Sequence, residues 1–90
     1  MKRCKVTISG KVQGVRFRAF LKERAGALGL AGWCRNLSTG EVEAVAAGDE
    51  AKLRKFLRYA REGPIGSDVD SVSAEWADDA EGFRGFTILR

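Results

Sequence analysis

Histidine does not occur anywhere in this 90-residue chain. Its absence removes the commonest general base, the commonest protein metal ligand and every route through a phosphohistidine. Any catalysis has to run without imidazole. Cysteine is scarce as well: Cys4 and Cys34 are the only two, too few for a disulfide framework. No apolar run approaches the ~20 residues needed to span a bilayer. The opening Met1-Lys2-Arg3 has the charge of a signal peptide's leading end. The stretch after it, Cys4-Lys5-Val6-Thr7-Ile8-Ser9, alternates and carries a further lysine, so it cannot be the apolar core of one. The expectation is a cytoplasmic protein.

What the chain does contain is ordinary for a globular domain, with 44% hydrophobic and 31% charged residues. This length suits one domain, residues 1–90, that buries a little over ~60% of the surface its unfolded form exposes. Formal net charge is +4 and the isoelectric point about 9.4. Such a balance suits an anionic partner, a phosphorylated small molecule or a nucleic acid, although many domains are mildly basic without a specific reason.

Hydrophobic periodicity divides the chain into seven segments. Lys5 to Ser9 alternates, with Val6 and Ile8 on one face, and reads as a strand. Gly10 to Arg16 interrupts that pattern with two glycines. Phe17, Phe20, Leu21, Ala25 and Leu28 then recur at helical spacing, with Gly29 or Gly32 as the stop. Trp33 to Leu37 and the alternating Val42, Ala44 and Ala46 flank the turn Ser38-Thr39-Gly40 and read as a hairpin. Asp49 is a good N-cap, Glu50 suits a first helical turn, and Leu53, Phe56, Leu57 and Ala60 form one stripe that Gly63-Pro64 ends. Val69 to Trp76 is strand-like, Asp78 to Gly82 an acidic turn, and Phe86 and Ile88 mark a last short strand. The order predicts an α+β fold: a ferredoxin-like βαββαβ sandwich, an antiparallel sheet with two helices on one face and a short C-terminal fifth strand.

Gly10-Lys11-Val12-Gln13-Gly14-Val15-Arg16-Phe17-Arg18 joins a strand to a helix N-terminus, where unpaired N–H groups and the helix dipole favour an anion. Glycines let the chain curl so that successive N–H groups point into one hollow. Arg18 falls in the first helical turn, where a cation opposes the dipole unless an anion is bound nearby. Its planar guanidinium can grip two phosphoryl oxygens together. The plain alternative is a glycine turn followed by solvated arginines. The Gly-Lys-Ser/Thr ending of a Walker A loop is missing.

The same stretch resembles the signature of the acylphosphatase family, Gly-x-Val-Gln-Gly-Val-x-Phe-Arg after the first strand. A second signature of that family is filled from Gly32 through Trp33-Cys34-Arg35-Asn36 to Gly40, Val42 and Gly48. The resemblance covers essentially the whole chain and implies the fold read above. It implies that Arg18 binds the phosphoryl group and that Asn36 orients the attacking water. It further implies that the backbone N–H groups of Gln13, Gly14, Val15, Arg16, Phe17 and Arg18 cradle the phosphate. Cys34 stands where the family more often has valine or alanine, a small change for a buried position. The resulting expectation is a metal-independent hydrolase of small-molecule acyl phosphates, with no cofactor, no nucleic-acid or membrane partner, and a monomeric state.

That chemistry suits a chain without a base. An acyl phosphate expels a carboxylate whose conjugate acid has a pKa of about 4 to 5, so no general acid is required. Phosphoryl transfer is largely dissociative, and catalysis reduces to positioning and to stabilising charge on the equatorial oxygens. Without the resemblance, Asn36 reads as a turn former. Trp33 and Trp76 read as packing residues. Arg16, Lys11 and Arg35 read as solvated charge.

Three rival patterns are weaker. Asp68-Val69-Asp70-Ser71-Val72 echoes the motif of aspartate-nucleophile phosphatases, which need a larger doubly wound domain and a magnesium site. A Cys-x5-Arg motif is absent, because Gly10 and Gly40 occupy the positions of its arginine. Arg84-Gly85-Phe86-Thr87-Ile88 echoes an RNA-recognition motif, but that signature belongs on a third strand with a helix and strand to follow. A non-catalytic binding domain of the same family is the other alternative. In the family's sheet order a strand separates Cys4 from Cys34, about 9 to 10 Å, too far for a disulfide.

Overall fold

The computed structural model describes residues 1–78 and 82–89. Its elements run β1 (Lys2–Lys11), α1 (Phe17–Ala27), β2 (Ala31–Asn36), β3 (Val42–Gly48), α2 (Glu50–Glu62), β4 (Asp68–Ala77) and β5 (Phe86–Ile88). Each expected element is present; β1, β3 and β4 extend beyond the expected alternation, while β2 starts earlier than expected and ends at Asn36, before Leu37. Most of the expected acidic turn from Asp78 to Gly82 lies outside the described residues.

The five strands form one sheet in the order β4-β1-β3-β2-β5. The four longer strands pair antiparallel, as expected, while β5 adds parallel to β2 at the far edge. Period two sorts the side chains. Val6 lies opposite Ala44 on one side and Ala74 on the other, and Ile8 lies likewise between Val42 and Val72. These residues face the two helices. α1 covers β2 and β5, and α2 covers β1 and β4. The helices bring Phe17, Leu21 and Ala25 from α1 and Leu53, Phe56, Leu57 and Ala60 from α2 into the core, the last four being the stripe read from the sequence. Asp49 caps α2 by accepting from the Lys52 N–H at 3.3 Å.

The central strand β3 is buried along its whole length, on both faces. On the side away from the helices, Val45 lies beneath Trp33, and Glu43 receives Arg35 Nε at 2.8 Å and Lys5 Nζ at 3.5 Å. Arg35 also lies over the Trp33 ring, 5.4 Å from its centroid. It is therefore an ion-paired residue of the open face, rather than freely solvated charge. Trp76 packs at the sheet's edge under Arg54 of α2, at 5.2 Å.

Cys4 and Cys34 are free and essentially inaccessible, on strands separated by β3, as the family's sheet order implied. Burial pushes each thiol from 9.0 up to about 11; for Cys34 the nearby Arg18 and Lys22 cations work in the opposite sense. Between those values the folded chain keeps protons that the unfolded chain has lost. Stability therefore falls as pH rises through this window, by on the order of 2 kcal/mol per thiol. Urea unfolding followed from about pH 8 to about pH 11 should show a shallower decline in Cys34→Ala than in the parent. Equal slopes would refute thiol burial as the cause. Thiol titration in denaturant should find both cysteines, and finding none would contradict the strand order.

Candidate active site

β1 leaves the sheet at Lys11, and after five intervening residues α1 begins at Phe17. Two apolar anchors hold the ends of this loop in the core, Val12 and Phe17, each 1% exposed. Between them the chain curls through positive φ twice, at Gly14 (φ 74°) and at Arg16 (φ 63°). Glycine takes that conformation without penalty. Arginine does not, and a left-handed residue with a Cβ costs roughly 1–2 kcal/mol. Arg16 is also the N-cap of α1, yet it makes no side-chain capping bond, and the first turn holds no acidic residue.

Among the described residues, no main-chain carbonyl accepts from the N–H groups of Gln13 to Arg16. The first N–H groups of α1 add further unpaired donors. The corner thus combines open donors, the positive end of a helix and the cations Arg16 and Arg18. Every term in that set favours an anion.

Asn36 reaches the same corner from the sheet. It ends β2 opposite Val42 and shares its parity with the buried Cys34 and Gly32, which places it on the helix-facing side. The Cys34 thiol lies beneath the first turn of α1, donating to the Arg18 carbonyl at 3.7 Å. A cavity of about 380 Å³ opens here, lined by Val12, Gly14, Arg16, Phe17, Arg18, Ala19, Asn36 and Ile88. Arg18 and Asn36, the two residues singled out for chemistry, therefore border one cavity. Gly14, Arg16 and Phe17 border it too.

Gln13 and Val15 do not. Val15 faces a separate shallow hollow shared with Pro64 and Ile65. The Gln13 side chain turns toward the β2–β3 turn, where its amide donates to the Leu37 carbonyl at 2.8 Å and the Glu41 carbonyl at 2.9 Å. These carbonyls already close the turn through the bonds Gly40 N–H to Leu37 and Leu37 N–H to Glu41. Gln13 thus ties the curled loop to the residue immediately after Asn36. The sequence reading assigned Gln13 a main-chain role only. It also missed Ile88, which joins the cavity because β5 pairs with β2 in the register Cys34↔Ile88.

The rival motifs lie elsewhere. Asp68 and Asp70 are exposed at the start of the edge strand β4. Phe86, the aromatic of the RNA-recognition echo, is buried against Phe56, with ring centroids 5.9 Å apart, so it offers no face for a base to stack on. Among the described residues no group of three or more cysteine, aspartate or glutamate side chains gathers as metal ligands would, and no helix is long and apolar enough to cross a membrane.

Comparison with known proteins gives a consistent picture. A family described as Acylphosphatase matches residues 4–88. An acylphosphatase of Pelotomaculum thermopropionicum is 44% identical over 86 residues, covering 96% of this chain and 94% of the relative. The crystal structure of acylphosphatase from Bacillus subtilis superposes with a TM-score of 0.98 at 34% identity, covering all of both chains. The structure of an acylphosphatase from Coxiella burnetii gives 0.91 at 38% identity, covering 97% of this chain and 90% of that one.

Two substitutions test the loop's construction. Gln13→Leu removes two hydrogen bonds at a half-buried site and should cost about 1–2 kcal/mol in urea unfolding. Arg16→Gly exchanges left-handed strain for glycine's extra chain entropy and should stabilise by ~0.5–1 kcal/mol. A destabilised Arg16→Gly would contradict the strained geometry.

Proposed function

The chain belongs to the acylphosphatase family, and from that premise we propose that it hydrolyses acyl phosphates to a carboxylate and inorganic phosphate, without a metal, residues 1–90 acting as one domain. The observation that carries this reading is the convergence of Arg18, Asn36 and the loop residues Val12, Gly14, Arg16 and Phe17 on a single cavity.

In the proposed reaction the phosphoryl group sits on the open N–H groups of the loop and first turn, gripped by Arg18. The Asn36 side-chain amide, with both donors and an acceptor, holds a water in line with the phosphorus–acyl oxygen bond. The water oxygen forms the new bond to phosphorus as the bond to the acyl oxygen breaks, and the carboxylate leaves with the electron pair. A dianionic acyl phosphate and one water become a carboxylate and dihydrogen phosphate, so both water protons can end on the product phosphate. No side chain has to be reprotonated between turnovers. This agrees with a cavity lining that, among the described residues, includes no aspartate, glutamate, cysteine, tyrosine or lysine side chain. Fixed donors around a dissociative transition state supply the acceleration.

Benzoyl phosphate hydrolysis in the presence of a chelator is the direct test. The parent protein should turn it over. Arg18→Ala and Asn36→Ala should each lose at least ~10²–10³-fold in kcat, the scale of removing a fixed transition-state donor. Inorganic phosphate binding, measured by calorimetry, should fall mainly in Arg18→Ala. Full activity in Asn36→Ala would remove the water-orienting role. Absence of turnover in a folded parent would favour a non-catalytic binding domain.

A further inference from the structure

We propose that Arg16 selects acyl phosphates whose acyl portion carries its own negative charge, reading that second anion at the cavity mouth. This inference rests on the acyl-phosphate reading above and adds a substrate class to it.

Arg16 is a poor residue for its position on three separate counts. The backbone there is left-handed, which favours glycine or asparagine. The position is an N-cap, which favours serine, aspartate, asparagine or threonine, and Arg16 makes no capping bond. The helix end is positive, and a cation there is repelled. Asparagine would remove all three penalties. An exposed side chain retained against them points to a use for its charge.

The phosphoryl group alone does not account for that use. Arg18 supplies one positive charge and the helix end roughly half of another, which already meets most of a dianion. Arg18 lies in the first turn of α1, whereas Arg16 precedes the helix in a left-handed conformation, and both line the cavity. Arg16 and Ala19 border both this cavity and the adjacent hollow that holds Pro64 and Ile65, which sets them at the rim. The cavity's volume, about 380 Å³, lies within the range of sites for whole small molecules. An acyl portion that runs from Arg18 across Ala19, which shares the rim with Arg16, would bring its far end toward Arg16. Among the described residues, no acidic side chain lines the cavity to compete for either arginine.

The test compares benzoyl phosphate with para-carboxybenzoyl phosphate, which differ in one remote carboxylate. The quantity read is the ratio of kcat/KM, charged over uncharged, in which intrinsic reactivity cancels between variants. The ratio should fall about three- to tenfold in Arg16→Gly and Arg16→Gln, the scale of one partly exposed charge pair, and be largely kept in Arg16→Lys. Added salt should shrink the parent's ratio toward that of Arg16→Gly. A ratio identical in parent and Arg16→Gly would overturn the proposal, as would an equal loss on both substrates, which would assign Arg16 to the phosphoryl group. Calorimetric binding of phenyl phosphate and para-carboxyphenyl phosphate asks the same question without turnover. If the parent hydrolysed neither acyl phosphate, the enzymatic reading would fall, while the binding ratio would still decide for or against Arg16.

Discussion

Two cations and a row of unpaired N–H groups are held at the positive end of one helix, and nothing in the described protein neutralises them there. The rest of the architecture can be understood as what keeps that arrangement from relaxing. A free loop would rotate its arginines into water and pair its donors locally. Here Val12 and Phe17 are buried in the core at either end, with only four residues between them. The left-handed Arg16 is the visible cost of that constraint. An anion in the hollow would relieve the donors, the dipole and the Arg18 guanidinium together, which is why binding and fold are hard to separate here.

The sheet supplies the second half of the site through register alone. β1 delivers the loop and β2 delivers Asn36, and they are not neighbours, because β3 runs between them. The split βαβ connection over α1 brings the end of one strand to the end of the other on the helix-facing side. The Gln13 amide then joins loop to turn directly, crossing the gap that β3 imposes. Gly32 allows the close packing this needs: a Cβ there would lie 1.8 Å from the Val45 carbonyl oxygen, on the central strand. The geometry of the candidate site is thus a property of strand order, and strand order is a property of the hydrophobic alternation that buries Val6, Ile8, Val42 and Ala44.

Most of the fold was legible in the sequence because its elements are locally consistent. α2 announced itself through Asp49 and the stripe Leu53, Phe56, Leu57 and Ala60, and the structure buries those four. Arg18 and Asn36 could be singled out from loop chemistry and from two separated signatures. Other features depended on tertiary contacts that no local pattern carries. Ile88 enters the cavity only because β5 pairs parallel with β2, a choice that three residues of alternation cannot express. The direction of the Gln13 side chain depends on a turn 24 residues away. Arg16 concealed its conformation because a left-handed backbone is signalled by glycine or asparagine, and arginine sends no such signal. Glu43 reads as a polar residue of an alternating strand, yet it is 6% exposed, because Arg35 and Lys5 close over it from both neighbouring strands.

The same economy of parts that makes the site compact also limits what it could hydrolyse under the proposed mechanism. Among the described residues, the cavity lining includes no aspartate, glutamate, cysteine, tyrosine or lysine side chain to serve as an acid for a departing oxygen. A carboxylate needs no such help, since its conjugate acid has a pKa of about 4 to 5. An alcohol leaving as its oxide lies closer to the scale of water, about 15.7, and without an acid it would depart many orders of magnitude more slowly. Phosphate monoesters present the same dianionic head, so the loop should bind them without cleaving them. Selectivity for the anhydride over the ester would then come from the chemistry of the leaving group, while the loop and Arg18 recognise the phosphoryl head that both share. A binding site made largely of main chain can be this small because the difficult discrimination has been left to the substrate's own bond.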